Sequence, residues 1–176
     1  IIANLLFAII KKFFKIYISI IIKMNLKEHI RSIPDYPKKG ILFRDITTLI
    51  KNEHAFIECI NQIVERSKNF KFNKISAIES RGFIFASAVS YILKKPFVLL
   101  RKKNKLPAET HSIDFELEYG TATMEVHKDS IDKDDTVLII DDLIATGGTA
   151  EAAANLIEIS KGKVAGFIFV INLFDL

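Results

Sequence analysis

Cysteine is nearly missing from this chain: Cys59 is the only one in 176 residues. No internal disulfide can form, which excludes the small disulfide-framework class. A lone thiol suits a reducing compartment, so a cytoplasmic location is expected, and Cys59 itself reads as a small buried hydrophobe. The four histidines, His29, His54, His111 and His127, are scattered. No His/Cys set has metal-ligand spacing, so a protein-built metal cage is not expected. The patterns GxxxxGK[ST] and GxGxxG are both absent, which removes the fingerprints of P-loop hydrolases and of dinucleotide binding. Repeats and low-complexity linkers are missing too. What is present is a globular composition, 49% hydrophobic and 26% charged, at a length that suits one domain.

Acidic residues are missing from the first 23 positions, which carry Lys11, Lys12, Lys15 and Lys23. Those four lysines account for the whole net charge of +4: without them, 21 basic side chains face 21 acidic ones. The body therefore has no sequence-wide basic footprint, and a nucleic-acid partner is not expected. The stretch IIANLLFAIIKKFFKIYISIIIK is apolar, but three lysines fall in its middle. Each central lysine costs about 2.5–3.5 kcal/mol on membrane insertion scales, which argues against a spanning helix. A secretory signal would place its charge first and a small-residue cleavage site last. Two readings remain: an interfacial amphipathic helix, or translated upstream sequence from an AT-rich gene. The second is favoured because Met24 opens a normally patterned body, so 1–23 is expected to be an extension and 24–176 the functional domain.

From Met24 onward two hydrophobic periods alternate. Residues 55–68 place Phe56, Cys59, Ile60 and Ile63 at helical spacing, and 74–79 form a short apolar strand run. Residues 82–93 read as an apolar helix stopped before Pro96, and PFVLLRK as a strand. Residues 103–120 show no strong period and contain Pro107 and Gly120, so a long loop is expected there. TATMEVHK (121–128) alternates as a strand, TVLII (136–140) reads as a strand buried on both faces, 150–159 as an Ala-rich helix, and VAGFIFVINL as a last strand. Strands alternating with helices predict an α/β domain with a mostly parallel sheet.

The segment VLIIDDLIATGGTAEAAA (137–154) carries the most chemistry. A strand is expected to end at Asp141 and Asp142, with Thr146-Gly147-Gly148-Thr149 leading into a helix. Ligands of open α/β sheets sit at the carboxyl ends of strands. The glycines let the backbone close around a phosphate, and the helix start stabilises it with exposed N–H groups. Two carboxylates beside that cradle would repel the phosphate, so they need another partner: ribose hydroxyls, or a magnesium ion held through water. The segment reads as a holder for ribose 5-phosphate.

These residues, together with IPDYPKKGILFRDITTL (33–49), ESRGFIF (79–85), RKKNKLPAET (101–110) and LEYGTATMEVHKD (117–129), resemble the type I phosphoribosyltransferases, and among them the branch that acts on adenine. The resemblance covers about Met24 to the end, with five motifs in the family's order. It implies the type I fold, a mostly parallel twisted sheet flanked by helices, with a mobile active-site loop. It also implies transfer of the 5-phosphoribosyl group of phosphoribosyl diphosphate to adenine, giving AMP and pyrophosphate, with magnesium brought by the substrate and a homodimer as the assembly.

Residue by residue, the resemblance puts Ala145, Thr146, Gly147, Gly148 and Thr149 on the 5-phosphate and Asp141 with Asp142 on the ribose hydroxyls. Ser80, Arg81 and Gly82 correspond to the pyrophosphate loop. Arg101, Lys102 and Lys105 belong to a basic run, shared with Lys103, that meets pyrophosphate oxygens, part of it crossing a dimer interface. Phe43 is implied as the stacking surface for adenine, with the main chains of Leu42 and Arg44 reading its edge. Glu118 matches the acid/base for the adenine ring nitrogen, and Tyr119 lies beside it in the closing loop. From the residues alone, Glu116, Glu118 and Glu125 serve equally as exposed charges. Ala86 and Ala108 stand where the family usually has glycine, and the chain stops at INLFDL, before family members normally end, so a shortened domain is expected. Two alternatives stay open at this level: a regulator that keeps the phosphoribosyl loop without catalysis, and an enzyme of the same class acting on another purine base.

Overall fold

The computed structural model describes residues 24–117 and 120–173. These fall into two compact units that divide after Glu58. The expectations for residues 1–23, Glu118 and Tyr119 lie outside the described residues.

The first unit opens with a 3-10 turn, Leu26–His29, capped by the Asn25 side chain. Two four-residue strands follow, β1 (Arg31–Pro34) and β2 (Leu42–Asp45), paired antiparallel with Ile33 opposite Phe43. No hydrophobic period announces this pair, because four residues are too few to establish alternation. The connection is shaped locally: Gly40 N–H donates to Asp35 Oδ1 at 2.7 Å, and Asp35 and Gly40 both adopt positive φ. Asp45 closes the unit. Its carboxylate accepts from Arg31, from Thr47 N–H at 2.8 Å and from Thr47 Oγ1 at 2.8 Å. Those donors, the Thr47 N–H first and Arg31 next, hold its pKa down at about 2. Helix α1 (Thr47–Lys51) follows, and α2 (Glu53–Ser67) starts where Asn52 Oδ1 accepts the Ala55 N–H at 2.9 Å, an N-cap of the usual kind. On α2 the expected stripe is buried at Cys59, Ile60 and Ile63, with Phe56 half-buried.

The second unit is built on a six-stranded sheet in the order β5-β6-β4-β3-β7-β8. Its strands are β3 (Lys74–Ile78), β4 (Phe97–Lys102), β5 (Thr110–Leu117), β6 (Gly120–His127), β7 (Thr136–Ile144) and β8 (Lys163–Asn172). β4, β3, β7 and β8 run parallel, and the β5–β6 hairpin adds antiparallel to β4. Helix α3 (Gly82–Leu93) connects β3 to β4 and packs on β3 and β7, while α4 (Gly148–Ile159) connects β7 to β8 and packs against β5, β6 and β8. The core joins Leu100, Val126, Val137 and Ile139 of the sheet to Leu156 and Ile157 of α4. This is the mostly parallel sheet flanked by helices that the alternating pattern predicts. Among the described residues no helix is long and apolar enough to cross a membrane.

Two expectations are corrected here. Residues 110–117 are strand β5 within the stretch read as a loop. Ile113 and Phe115 pack on the core while Ser112, Asp114 and Glu116 face outward; a strand buried on one face only, next to Pro107, looks polar overall. β7 also does not stop before the acids. It continues through Asp141 and Asp142 to Ile144, because β8 keeps pairing alongside, Asp141 with Phe169 and Leu143 with Ile171.

Candidate active site

The carboxyl ends of the parallel strands converge on one cleft of about 450 Å³, lined by Ser80, Arg81, Lys102, Asp141, Asp142 and Thr149 among others. A smaller cavity of about 100 Å³ continues from it along Ala145, Thr146 and Gly147, with Asp141, Leu143 and Thr149 shared between the two. Most residues expected to hold a phosphorylated sugar are therefore brought together by the sheet.

The turn expected to cradle the 5-phosphate takes its shape from its glycines. Gly147 has φ +88°, a left-handed conformation in which a side chain would be strained, and it starts α4 with no side-chain cap. The first-turn N–H groups of α4 therefore have no intrahelical acceptor and face outward beside a positive helix end. Gly148 is needed for a different reason. A Cβ there would lie 3.3 Å from the Glu116 carbonyl oxygen, so β5 passes close against the start of α4.

Asp141 and Asp142 are both buried, at 8% and 4% exposure. Asp141 Oδ1 accepts the Asp142 N–H at 2.9 Å. Burial, and then the neighbouring Asp142 charge, pushes the Asp141 carboxyl up to about 7. Burial raises Asp142 as well, opposed mainly by the Arg81 guanidinium. Arg81 Nε lies 2.7 Å from Asp142 Oδ2, but the N–H is not aimed at that oxygen, which is buried without a hydrogen-bond donor. A buried carboxylate oxygen left wanting a donor is costly in a finished structure. It fits a site whose donors, sugar hydroxyls or metal-bound water, come with a ligand.

The Ser80–Gly82 loop, expected to receive pyrophosphate, is set against these acids. The Glu79–Ser80 peptide is cis, and α3 starts directly at Gly82. A Cβ at Gly82 would meet Asp141 Oδ1 at 2.6 Å and the Ile140 carbonyl oxygen at 3.0 Å. Only glycine lets the loop approach the end of β7 so closely. Ala86, where the family usually has glycine, is fully buried inside α3 and is accommodated there.

Of the basic run, Lys102 lines the cleft. Arg101 is held beside it: Nε and Nη2 donate to Glu79 at 3.2 and 3.3 Å, and Nη1 donates to the Lys105 carbonyl at 3.0 Å. Burial works to raise the Glu79 carboxyl, yet the Arg101 hydrogen bonds and the Lys102 N–H hold it below its ordinary value. Sequence reasoning missed Glu79. Its signal was available, since Glu79 follows β3 and Arg101 nearly ends the neighbouring parallel strand. In the first unit, Phe43 is half-buried with its ring 5.1 Å from that of Tyr36 at 74°, Leu42 is 41% exposed, and Arg44 donates to Ser32 Oγ. Glu118 and Tyr119 follow β5 outside the described residues.

Residues 45–173 match the family model described as phosphoribosyl transferase domain. The chain is 82% identical over 153 residues to the adenine phosphoribosyltransferase of Pelagibacter ubique, which covers 87% of each chain. It is 55% identical over 150 residues to that of Nitrosomonas eutropha, covering 85% of this chain and 86% of the relative. Among solved structures, the adenine phosphoribosyltransferase of Thermoanaerobacter pseudethanolicus superposes with a TM-score of 0.79 at 41% identity, covering 84% of this chain and 98% of that one. The Saccharomyces cerevisiae enzyme, complexed with an imino-altritol bisphosphate and adenine, gives 0.80 at 35% identity over 86% of this chain and 88% of that one.

Proposed function

The chain belongs to the phosphoribosyl transferase family, in its adenine phosphoribosyltransferase branch, and from that membership we infer that the cleft at the end of β7 is its phosphoribosyl diphosphate site. The reaction is a pentosyl transfer of purine salvage: the 5-phosphoribosyl group of phosphoribosyl diphosphate passes to adenine, giving AMP and pyrophosphate. The buried, donorless Asp142 oxygen beside the phosphate cradle supports this reading most directly, because ribose hydroxyls are donors of the right kind for it.

Each group has a part that its chemistry suits. Ala145, Thr146, Gly147, Gly148 and Thr149 hold the 5-phosphate through α4 N–H groups and threonine hydroxyls. Asp141 and Asp142 accept from the ribose hydroxyls and orient the sugar. Bond cleavage leaves positive charge on the sugar ring, and two carboxylates nearby favour that charge. Ser80, Arg81 and Gly82 receive the pyrophosphate, with Arg81 as a fixed charge and Arg101, Lys102 and Lys105 as the basic rim. Magnesium carried by the substrate would fit the donor set, with Asp141 or Asp142 holding it through water, and it would supply charge neutralisation for the pyrophosphate leaving group. Phe43 stacks adenine, and the main chains of Leu42 and Arg44 read its edge. Glu118 serves as the acid/base at the ring nitrogen, with Tyr119 beside it, closing over the substrates and excluding water that would compete for the sugar carbon.

A homodimer is supported by apolar surface on α3 and the adjoining strand: Ile84, Tyr91 and Ile92 are exposed, Tyr91 at 85%, with Leu99 of β4 at 37%. Cytoplasmic location rests on the lone buried thiol. The deciding experiment measures pyrophosphate release from phosphoribosyl diphosphate and magnesium, with adenine, hypoxanthine, guanine or xanthine added singly. Release with adenine alone is expected. Release with another base instead overturns the base assignment, and binding of phosphoribosyl diphosphate without release for any base overturns the enzyme reading.

A further inference from the structure

Glu79 is a carboxylate on the wall of a cleft read as a pyrophosphate site, where a negative charge by itself repels the ligand. Its surroundings explain why it is there. Glu79 N–H donates to the Leu100 carbonyl at 2.9 Å, the last main-chain rung between β3 and β4. The chain then leaves the sheet through Ser80 and Arg81. On a parallel strand, the carbonyl of one residue and the N–H of the residue two further on point the same way. Lys102 N–H therefore points to where β3 has just turned off. Glu79 Oε2 accepts that N–H at 3.0 Å, so a side chain supplies the missing rung. The same carboxylate takes the Arg101 guanidinium through Nε and Nη2, and Arg101 ties down the Lys105 carbonyl. The Glu79 side chain is 15% exposed and that of Arg101 29%, so the pair is largely shielded from water.

We propose that Glu79 is a positioning residue for phosphoribosyl diphosphate: through the Lys102 N–H and the Arg101 guanidinium it fixes the basic segment 101–105 opposite the Ser80–Gly82 loop. The proposal rests on the cleft being the phosphoribosyl diphosphate site. In this role Glu79 acts through Lys102 and Arg101 and not by contact with substrate. Pairing with Arg101 cancels its own charge, and the arm it holds presents the Lys102 cation to the cleft. Losing the carboxylate frees that arm, so phosphoribosyl diphosphate and pyrophosphate bind more weakly while adenine is unaffected.

The test uses the full chain and four proteins: wild type, Glu79→Gln, Arg101→Gln and the double variant. Read-outs are KM for each substrate, kcat, the Kd of magnesium pyrophosphate by calorimetry, and the melting temperature. Glu79→Gln keeps an acceptor of the same shape for Lys102 N–H and removes the charge that holds Arg101. It is expected to raise the KM for phosphoribosyl diphosphate and the Kd of pyrophosphate about tenfold, with the KM for adenine unchanged, and the double variant is expected to be no worse than Arg101→Gln alone. A lower melting temperature with unchanged KM values makes Glu79 a purely structural contact and overturns the proposal. So does an equal rise in both KM values, or a double variant whose loss is the product of the two singles. Failure of the wild type to bind pyrophosphate or phosphoribosyl diphosphate overturns the site reading itself.

Discussion

Strand β7 buries carboxylates at both ends, and the two ends are finished in opposite ways. At its start, Asp135 accepts from Asn73 Nδ2 at 3.0 Å, from the Asp132 N–H at 2.6 Å and from Lys74 Nζ at 2.6 Å. Lys74 also donates to the Ser130 carbonyl, and Asn73 Oδ1 accepts the Thr136 N–H. Burial works against the Asp135 charge, but these donors keep its pKa below the ordinary value. At the other end, Asp141 and Asp142 are as deeply buried, yet an oxygen of Asp142 has no donor and Asp141 is pushed up to about 7. One end is closed by the protein's own groups, while the other leaves room for a ligand's. Burial alone does not mark a functional acid; burial with an oxygen left short of a hydrogen-bond donor does.

Four measurements sharpen or break that contrast. The largest effect is expected from Asp142→Asn, and from Asp141→Asn, each lowering kcat roughly 10²–10³-fold, as removal of a preorganised electrostatic group does. Melting temperature should hold or rise, because a buried charge is removed; steady-state assay beside a thermal melt checks both, and unchanged turnover would remove the acids from the site. Lys74→Met should do the reverse. It leaves Asp135 buried without its cation, costing about 2–4 kcal/mol of stability in denaturant unfolding while kcat at low temperature stays as in wild type. Gly82→Ala falls between the two kinds, since its Cβ presses on Asp141 Oδ1 and on backbone. A loss of about 1–3 kcal/mol is expected from the overpacking, accompanied by a higher KM for phosphoribosyl diphosphate.

The smallest effect is on pH dependence. Asp141 binds its proton more tightly folded than unfolded, so between 3.8 and about 7 the native state holds more protons than the unfolded one. Its contribution to stability is full below 3.8 and is lost as pH rises through 7. Asp135, with a lowered pKa, contributes in the opposite direction and loses its share as pH falls below its unfolded value. Melting curves from pH 4 to 8 should therefore decline less steeply in Asp141→Asn than in wild type, and an identical decline would show that Asp141 carries no raised pKa.

Local pattern made much of this molecule legible in advance. The Thr-Gly-Gly-Thr turn, the paired acids and the α2 stripe announce themselves within a dozen residues, because helix period and glycine placement are properties of neighbouring positions. What escaped depends on registration between distant segments. Glu79 meets Arg101 only because β3 and β4 align Ile78 with Leu100, and Asp135 meets Lys74 by the same kind of alignment. β5 escaped because its polar half outweighed Ile113 and Phe115 in a linear reading. β1 and β2 are too short to show a period, so the Asp45 hub that joins Arg31 and Thr47 had no sequence signature beyond its residue types.

The close passage of Gly148 under the Glu116 carbonyl has a consequence for redesign. The turn read as a phosphate cradle and the hairpin share a wall with no room for even a methyl group unless β5 gives way by a few tenths of an ångström. The two therefore form one exchangeable part. A cradle borrowed from another scaffold, carrying any side chain at 148, would have to bring its own hairpin. The freedom to redesign this turn is in this sense limited mechanically by the hairpin as much as chemically by the glycines.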